Sequence, residues 1–251
     1  MSKNVLITGV DRGIGYAAAQ YFAIHGYNIC ANYLNDEQSM KHLYSETKAA
    51  DSVIITYKAD ISSISQISNM FNFFEDKVGS IDLLINNAGI TEFVPFLDAT
   101  ENDWTKTMSI DFKGAYFCTQ AAAKNMIKYK KNGLIINISS NHIFGCWPNA
   151  SIYASAKSAL EKFGKHAAME LAEYGIRVIT FCPGYTDTGW GKKKEYECIK
   201  NKIPLKRFAS PSEIAEMLYN ISSDSFKYLT GCTITADGGA LLGVIPENMF
   251  D

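Results

Sequence analysis

Seven short apolar runs constrain this chain more than any other feature. They are "NVLITG" (4–9), "NICANY" (28–33), "SVIITYKA" (52–59), "IDLLINN" (81–87), "LIINISS" (134–140), "RVITFCP" (177–183) and "CTITAD" (232–237). Most are nearly continuous in Val, Ile and Leu, as strands covered on both faces are, rather than alternating like a half-exposed sheet. Longer helix-like segments lie between them. In one, Ile64, Ile67, Phe71, Phe74 and Val78 recur at steps of three and four and make a single stripe. Gly26 and Gly79 stand where two of these helices should end. Strand–helix alternation along the whole length predicts an α/β fold: a doubly wound parallel sheet with helices on both faces.

No internal repeat or linker divides the 251 residues, so a single domain, 1–251, is expected. The stretch 189–206 is polar and Lys-rich and interrupts the alternation, so it reads as an insertion able to act as a lid. A net charge of −2 asks for neither nucleic acid nor an anionic membrane as partner. No apolar run approaches the roughly 18 residues that mark a membrane span, and the start lacks a signal-peptide core, so a cytoplasmic protein is expected. The six cysteines form no C-x-x-C pair and read as reduced thiols. The four histidines show no zinc spacing, so no metal is expected.

The first strand runs into Thr8-Gly9-Val10-Asp11-Arg12-Gly13-Ile14-Gly15 and then a helix. Glycines let backbone approach a ligand closely, and the helix start offers free N–H groups to a pyrophosphate. This is the beginning of a Rossmann-like dinucleotide site, with spacing G-x-x-x-G-x-G. An acidic residue after the second strand commonly takes the ribose 2′-hydroxyl of NAD, and a basic one the 2′-phosphate of NADP. Here the strand ends Ala31-Asn32-Tyr33-Leu34-Asn35, with no carboxylate until Asp36, which reads as a helix start. Arg12 stands in the glycine loop. Together these favour NADP(H) over NAD(H).

Tyr153 and Lys157, in "YASAK", share one helix face. The same spacing occurs at Tyr44–Lys48 and Tyr196–Lys200. Only Tyr153 has a hydroxyl, Ser140, thirteen residues upstream at a strand's end; the same step leads to Ala31 and Pro183 for the others. A free Tyr titrates near about 10, and a neighbouring ammonium favours its phenolate. Tyr153 is thus placed to exchange a proton with a carbonyl or alcohol oxygen that Ser140 holds, while a nicotinamide exchanges the hydride.

With these residues the chain resembles the short-chain dehydrogenase/reductase family along nearly its whole length. The resemblance rests on "TGVDRGIG" (8–15), "NNAG" (86–89), Ser140, "YASAK", "PGYTDT" (183–188), "IPLKRFASPSEIA" (203–215) and "ITADGG" (234–239). It implies a cofactor lining of Thr8, Gly9, Arg12, Gly13, Ile14, Gly15, Tyr33, Asp60, Ile61, Asn87, Ala88, Gly89, Tyr153, Lys157, Pro183, Gly184, Thr186 and Thr188. Within it, Asp60 meets the adenine, Asn87 lies near the ribose, Lys157 holds the nicotinamide ribose, and Thr188 with the backbone near Thr186 fixes the carboxamide. One departure stands out. Family members carry Asn in "N-x-x-G" before the serine strand, supporting a water in a proton relay. Here Asp111 holds that place in "SIDFKG" and would add a negative charge beside Lys157.

For the substrate, His142, Phe144, Trp147, Tyr185 and Trp190 are candidates, and His142 with Trp147-Pro148 resembles sugar-dehydrogenase members of the family. A small polar, sugar- or polyol-like ketone or alcohol is expected. A 3-oxoacyl-[acyl-carrier-protein] reductase is the rival, with Lys128, Lys130 and Lys131 as a carrier-docking patch and Tyr174 where a second basic residue would suit it. A cofactor-binding sensor without turnover is a third reading. The resemblance also implies a homo-oligomer, dimer or tetramer, built through helices at about 103–131 and 152–174.

Overall fold

The structure is a computed structural model that describes residues 2–48, 50–189 and 194–242. The seven expected strands are present: β1 Asn4–Ile7, β2 Asn28–Tyr33, β3 Ile54–Lys58, β4 Leu83–Asn86, β5 Leu134–Ile138, β6 Arg177–Pro183 and β7 Thr233–Ala236. They form one parallel sheet in the order β3-β2-β1-β4-β5-β6-β7. The order reverses between β1 and β4. That switch point opens a crevice at the carboxyl ends of the strands, where ligands bind in open α/β sheets.

The helices are α1 Gly13–Ile24, α2 Glu37–Thr47, α3 Ile64–Val78, α4 Glu101–Met108, α5 Ala115–Lys128, α6 Ser151–Leu171, α7 Lys194–Lys202 and α8 Pro211–Ile221. They cover both faces. Val5 and Ile7 join one apolar cluster with Phe22 and Leu218, while Leu6 between them joins the other with Phe74 and Met126. Alternate residues of one strand thus reach opposite cores. Phe22 and Phe74 are fully buried; truncating such a ring costs about 3–5 kcal/mol.

Several boundaries differ from the sequence expectation. Five strands are shorter, and β1 stops at Ile7 because Gly9 turns with φ +71°. The helix expected at 103–131 is three pieces: α4, a π-helical turn Ser109–Gly114, and α5. The helix expected at 152–174 ends as α6 at Leu171, with a 3₁₀ turn Ala172–Tyr174 closed by left-handed Gly175. On α3, Ile67, Phe71 and Phe74 are buried, but Ile64 in the first turn is exposed. The 189–206 segment includes α7, and its flanks are tied by Asp187 N–H to Ala209 O (2.8 Å) and Ala209 N–H to Tyr185 O (3.0 Å).

Candidate active site

The glycine loop joins β1 to α1 and is braced by the end of β4. Thr8 Oγ1 accepts the N–H groups of Asn87 and Ala88, both at 3.0 Å. Asn87 Nδ2 donates to Thr8 O (2.9 Å) and Gly9 O (3.0 Å). Asn87 therefore holds the loop through its amide. At Gly9 a Cβ would lie 2.7 Å from Ala88 Cα, so only glycine lets the two strand ends meet this closely. Across the crevice, the Thr188 side chain lies against Gly13. Helix α1 starts with Arg12 as an extended N-cap and no side-chain cap, which leaves its first turn without a capping side chain. An uncapped start behind a strand suits a pyrophosphate, so these residues fit a dinucleotide.

Other members of the expected lining surround it. Tyr33 ends β2 and is half-buried. Asp60 accepts Ser62 N–H at 2.8 Å, and Ile61 is buried against Gly114 of the π-turn. Pro183 ends β6, Gly184 N–H donates to Ala236 O (2.9 Å), and buried Thr186 donates to Gly184 O (3.2 Å). Sequence reasoning missed Asn32, whose side chain accepts Gly9 N–H (3.3 Å) and donates to Ala59 O (2.9 Å), linking the ends of three strands. A polar residue inside an apolar strand was its signal.

It also missed Asp11. This carboxylate reaches across to the turn after β2 and accepts the N–H groups of Leu34 (3.1 Å), Asn35 (2.9 Å) and Asp36 (2.9 Å). The preference for NADP(H) had two supports, Arg12 and the lack of a carboxylate after β2. Asp11 bears on the second, because it brings a carboxylate from the glycine loop to that turn. Asp36 caps α2 as expected, accepting Ser39 N–H at 2.9 Å.

At the other end of the crevice, Ser140 follows β5, and Tyr153 and Lys157 lie one turn apart on α6, all three buried. Lys157 Nζ donates to Ile138 O (3.2 Å), pairs with Asp111 Oδ1 (3.0 Å) and stands 5.8 Å from the centre of the Tyr153 ring. The other two Tyr–Lys pairs lie at the end of α2, with Lys48 as its C-cap, and on α7. Tyr44 is exposed and donates to Ile54 O, and Lys200 pairs with Glu197 at 2.8 Å.

Asp111 lies in the π-turn and is fully buried. Its two oxygens also take Ile90 N–H (3.3 and 3.2 Å). Burial pushes its carboxyl above the ordinary value, against the pull of Lys157. Burial likewise opposes the Lys157 charge, yet the Asp111 carboxylate and Tyr153 hold the Lys157 pKa above normal. A carboxylate taking only donors is suited to the ionised form, and we read the pair as charged. Gly89 is needed beside it, since a Cβ there would meet Asp111 Oδ1 at 2.5 Å.

His142, Trp147 and Tyr185 come together here. His142 Nδ1 is 3.0 Å from Ser140 Oγ, and its ring stacks on Trp147 and meets Tyr153 edge-on at 5.2 Å between centres. Burial lowers the His142 pKa to about 4. Its Nε2 is buried with no hydrogen-bond partner among the described residues. Trp147 Nε1–H donates to Tyr185 OH (2.9 Å), bridging the loops after β5 and β6. Phe93, not anticipated, stacks over His142 from the loop after β4. Phe144 is exposed, and Trp190 lies outside the described residues. Among the described residues no group of three or more His, Cys, Asp or Glu side chains could hold a metal. No helix among them is long and apolar enough to cross a membrane.

A parallel sheet with a glycine loop at its switch point and a buried Tyr–Lys pair opposite defines an oxidoreductase of Rossmann-like fold. A family model described as enoyl-(acyl carrier protein) reductase matches residues 9–240. The uncharacterized oxidoreductase YohF of Escherichia coli (strain K12) is 32% identical over 245 residues, spanning 96% of this chain and 97% of that protein. The 3-oxoacyl-[acyl-carrier-protein] reductase FabG of Staphylococcus aureus (strain Mu50) is 33% identical over 246 residues, with 95% and 98% covered. The crystal structure of acetoin dehydrogenase YohF from Salmonella typhimurium superposes with TM-score 0.90 at 31% identity, covering 97% of this chain and 98% of that one. The chain belongs to the short-chain dehydrogenase/reductase family.

Proposed function

We propose that this protein interconverts a ketone and a secondary alcohol on a small substrate with a second oxygen beside the reacting carbon, such as an α-hydroxyketone or a polyol. A bound nicotinamide dinucleotide supplies or accepts the hydride. Tyr153 gives its phenolic proton to the carbonyl oxygen during reduction and takes it back during oxidation. Lys157 sets a positive charge beside that phenol, and Asp111 holds Lys157 in place.

The observation that carries the substrate class is His142. For Ser140 to donate its O–H to the substrate oxygen, Ser140 Oγ must accept from His142 Nδ1–H. That assigns the tautomer and leaves Nε2 a bare, buried acceptor. A hydroxyl next to the reacting carbonyl satisfies it. The name of the acetoin dehydrogenase relative, itself an α-hydroxyketone enzyme by name, supports this reading. The Trp147–Tyr185 bridge favours a short substrate over a long acyl chain. The rival carrier-protein reading loses part of its docking patch, because Lys128 pairs with Glu75 and Lys131 with Asp82.

Nicotinamide absorbance over a panel of α-hydroxyketones, polyols, simple ketones and 3-oxoacyl thioesters tests this. Turnover should be fastest with the α-hydroxyketones or polyols. Preference for the thioesters would establish the rival, and cofactor binding without turnover would establish a sensor. We place a homo-oligomer here too, supported by the exposed Phe96, Leu97 and Trp104 beside the start of α6. Light scattering at the 27.8 kDa monomer mass alone would overturn it.

A further inference from the structure

We infer that Asp11 makes this nucleotide site select NAD(H) over NADP(H), acting as the reader of the adenosine ribose from within the glycine loop. The inference rests on the reading above that the crevice binds a nicotinamide dinucleotide. Three consecutive backbone N–H groups, of Leu34, Asn35 and Asp36, converge on the Asp11 carboxylate at 2.9–3.1 Å. Consecutive N–H groups in a turn form a concavity for an anion. In this chain the anion is its own side chain, twenty-three residues upstream of Leu34.

A 2′-phosphate brings a charge of about −1.5 to −2 near neutral pH. To enter here it must displace Asp11 from three hydrogen bonds or lie against its negative charge. A ribose 2′-hydroxyl instead donates to the free lone pairs of that carboxylate, since an ionised carboxylate accepts at about four positions. The surroundings add to the bias. Asp36 and Glu37 follow at once on the same turn, and Tyr33 beside them has its phenol pushed up by burial, then by Glu37 and Asp11. Arg12 is the neighbouring cation in the glycine loop. It is exposed, and no hydrogen bond or ion pair among the described residues fixes it over the turn. A fixed carboxylate on backbone donors therefore outweighs a solvated guanidinium.

The test is direct binding, without substrate, by calorimetric titration of NADH and NADPH into wild type, Asp11→Asn and Asp11→Ser, with thermal melts of each. Asn keeps the acceptor that holds Asn35 and Asp36 and removes the charge. Wild type should bind NADH at least about tenfold more tightly, the scale of one close charge contact near a protein surface. Both variants should reduce that ratio by about tenfold or more, chiefly by tightening NADPH. Tighter binding of NADPH by wild type overturns the proposal. So does an unchanged ratio in both variants, including equal weakening of both nucleotides, which would make Asp11 a brace for the turn and nothing more. Failure of either nucleotide to bind wild type overturns the dinucleotide reading itself, a result distinguishable from the other two.

Discussion

At the β5 end of the crevice, Tyr153, Lys157 and Asp111 are buried, and the Lys157 and Asp111 side chains are tied to each other and to backbone. At the β2 end, Arg12 and residues 34–36 face solvent, and one half-buried carboxylate organises them. The difference follows from the roles proposed for the two ends. Proton transfer needs groups fixed to within fractions of an ångström in a dry site. Choosing between two nucleotides needs only a difference in binding, which one well-placed charge supplies. The first end is over-determined by packing, and the second hangs on a single side chain.

The largest expected effect isolates the catalytic end. Tyr153→Phe should lower turnover by about 10²–10⁴-fold, the usual worth of a positioned acid or base. Affinity for the nucleotide should stay within a few-fold, because the role proposed for the phenol is to move a proton. Steady-state rates beside calorimetric titration check both. A variant that kept most of its rate would show the two ends to be less separate than they look.

The next effect sharpens the over-determined end. Asp111→Ala leaves Lys157 buried without its carboxylate, which should cost about 3–5 kcal/mol of stability by denaturant titration. Asp111→Asn keeps the shape and removes the charge. With one negative charge fewer beside Lys157, the rising limb of the alcohol-oxidation profile should move to lower pH by about one unit. Reduction, which uses the protonated phenol, should change less. Coincident profiles for wild type and Asp111→Asn would separate Asp111 from the proton chemistry and leave it a structural partner of Lys157.

What could be read in advance divides along the same line. The sheet was legible because continuous apolar runs admit little else, and Tyr153–Lys157 because a helix fixes which residues share a face. Ser140 followed from its place at a strand's end. The helix expected at 103–131 was broken by a π-turn around Asp111, which spacing alone does not reveal. Asp11 was invisible for another reason. It sits within the glycine loop, and only the fold brings it to the turn after β2. A search confined to the residues after that strand could not find a carboxylate delivered from another one. Asn87, expected along the cofactor, also braces the loop by donating Nδ2–H to the carbonyls of Thr8 and Gly9, which the motif alone did not show.

The smallest expected effect lies at His142, the residue proposed to meet the substrate's second oxygen. Its imidazole is held between Trp147 and Phe93, and burial depresses its pKa from 6.5 to about 4. A depressed histidine binds fewer protons folded than unfolded. Stability from this group is therefore complete above pH 6.5 and declines as pH falls toward about 4. His142→Phe keeps the stacked ring and removes both nitrogens, so that part of the acid sensitivity should vanish from melting curves recorded across the window. The same variant should raise KM for an α-hydroxyketone by about two- to tenfold, the worth of one neutral hydrogen bond. KM for a ketone without the second oxygen should hold, since nothing on that substrate needs the bare nitrogen. A purely packing role for His142 would move both KM values together or neither. A selective loss would tie the buried Nε2 to the substrate's second oxygen.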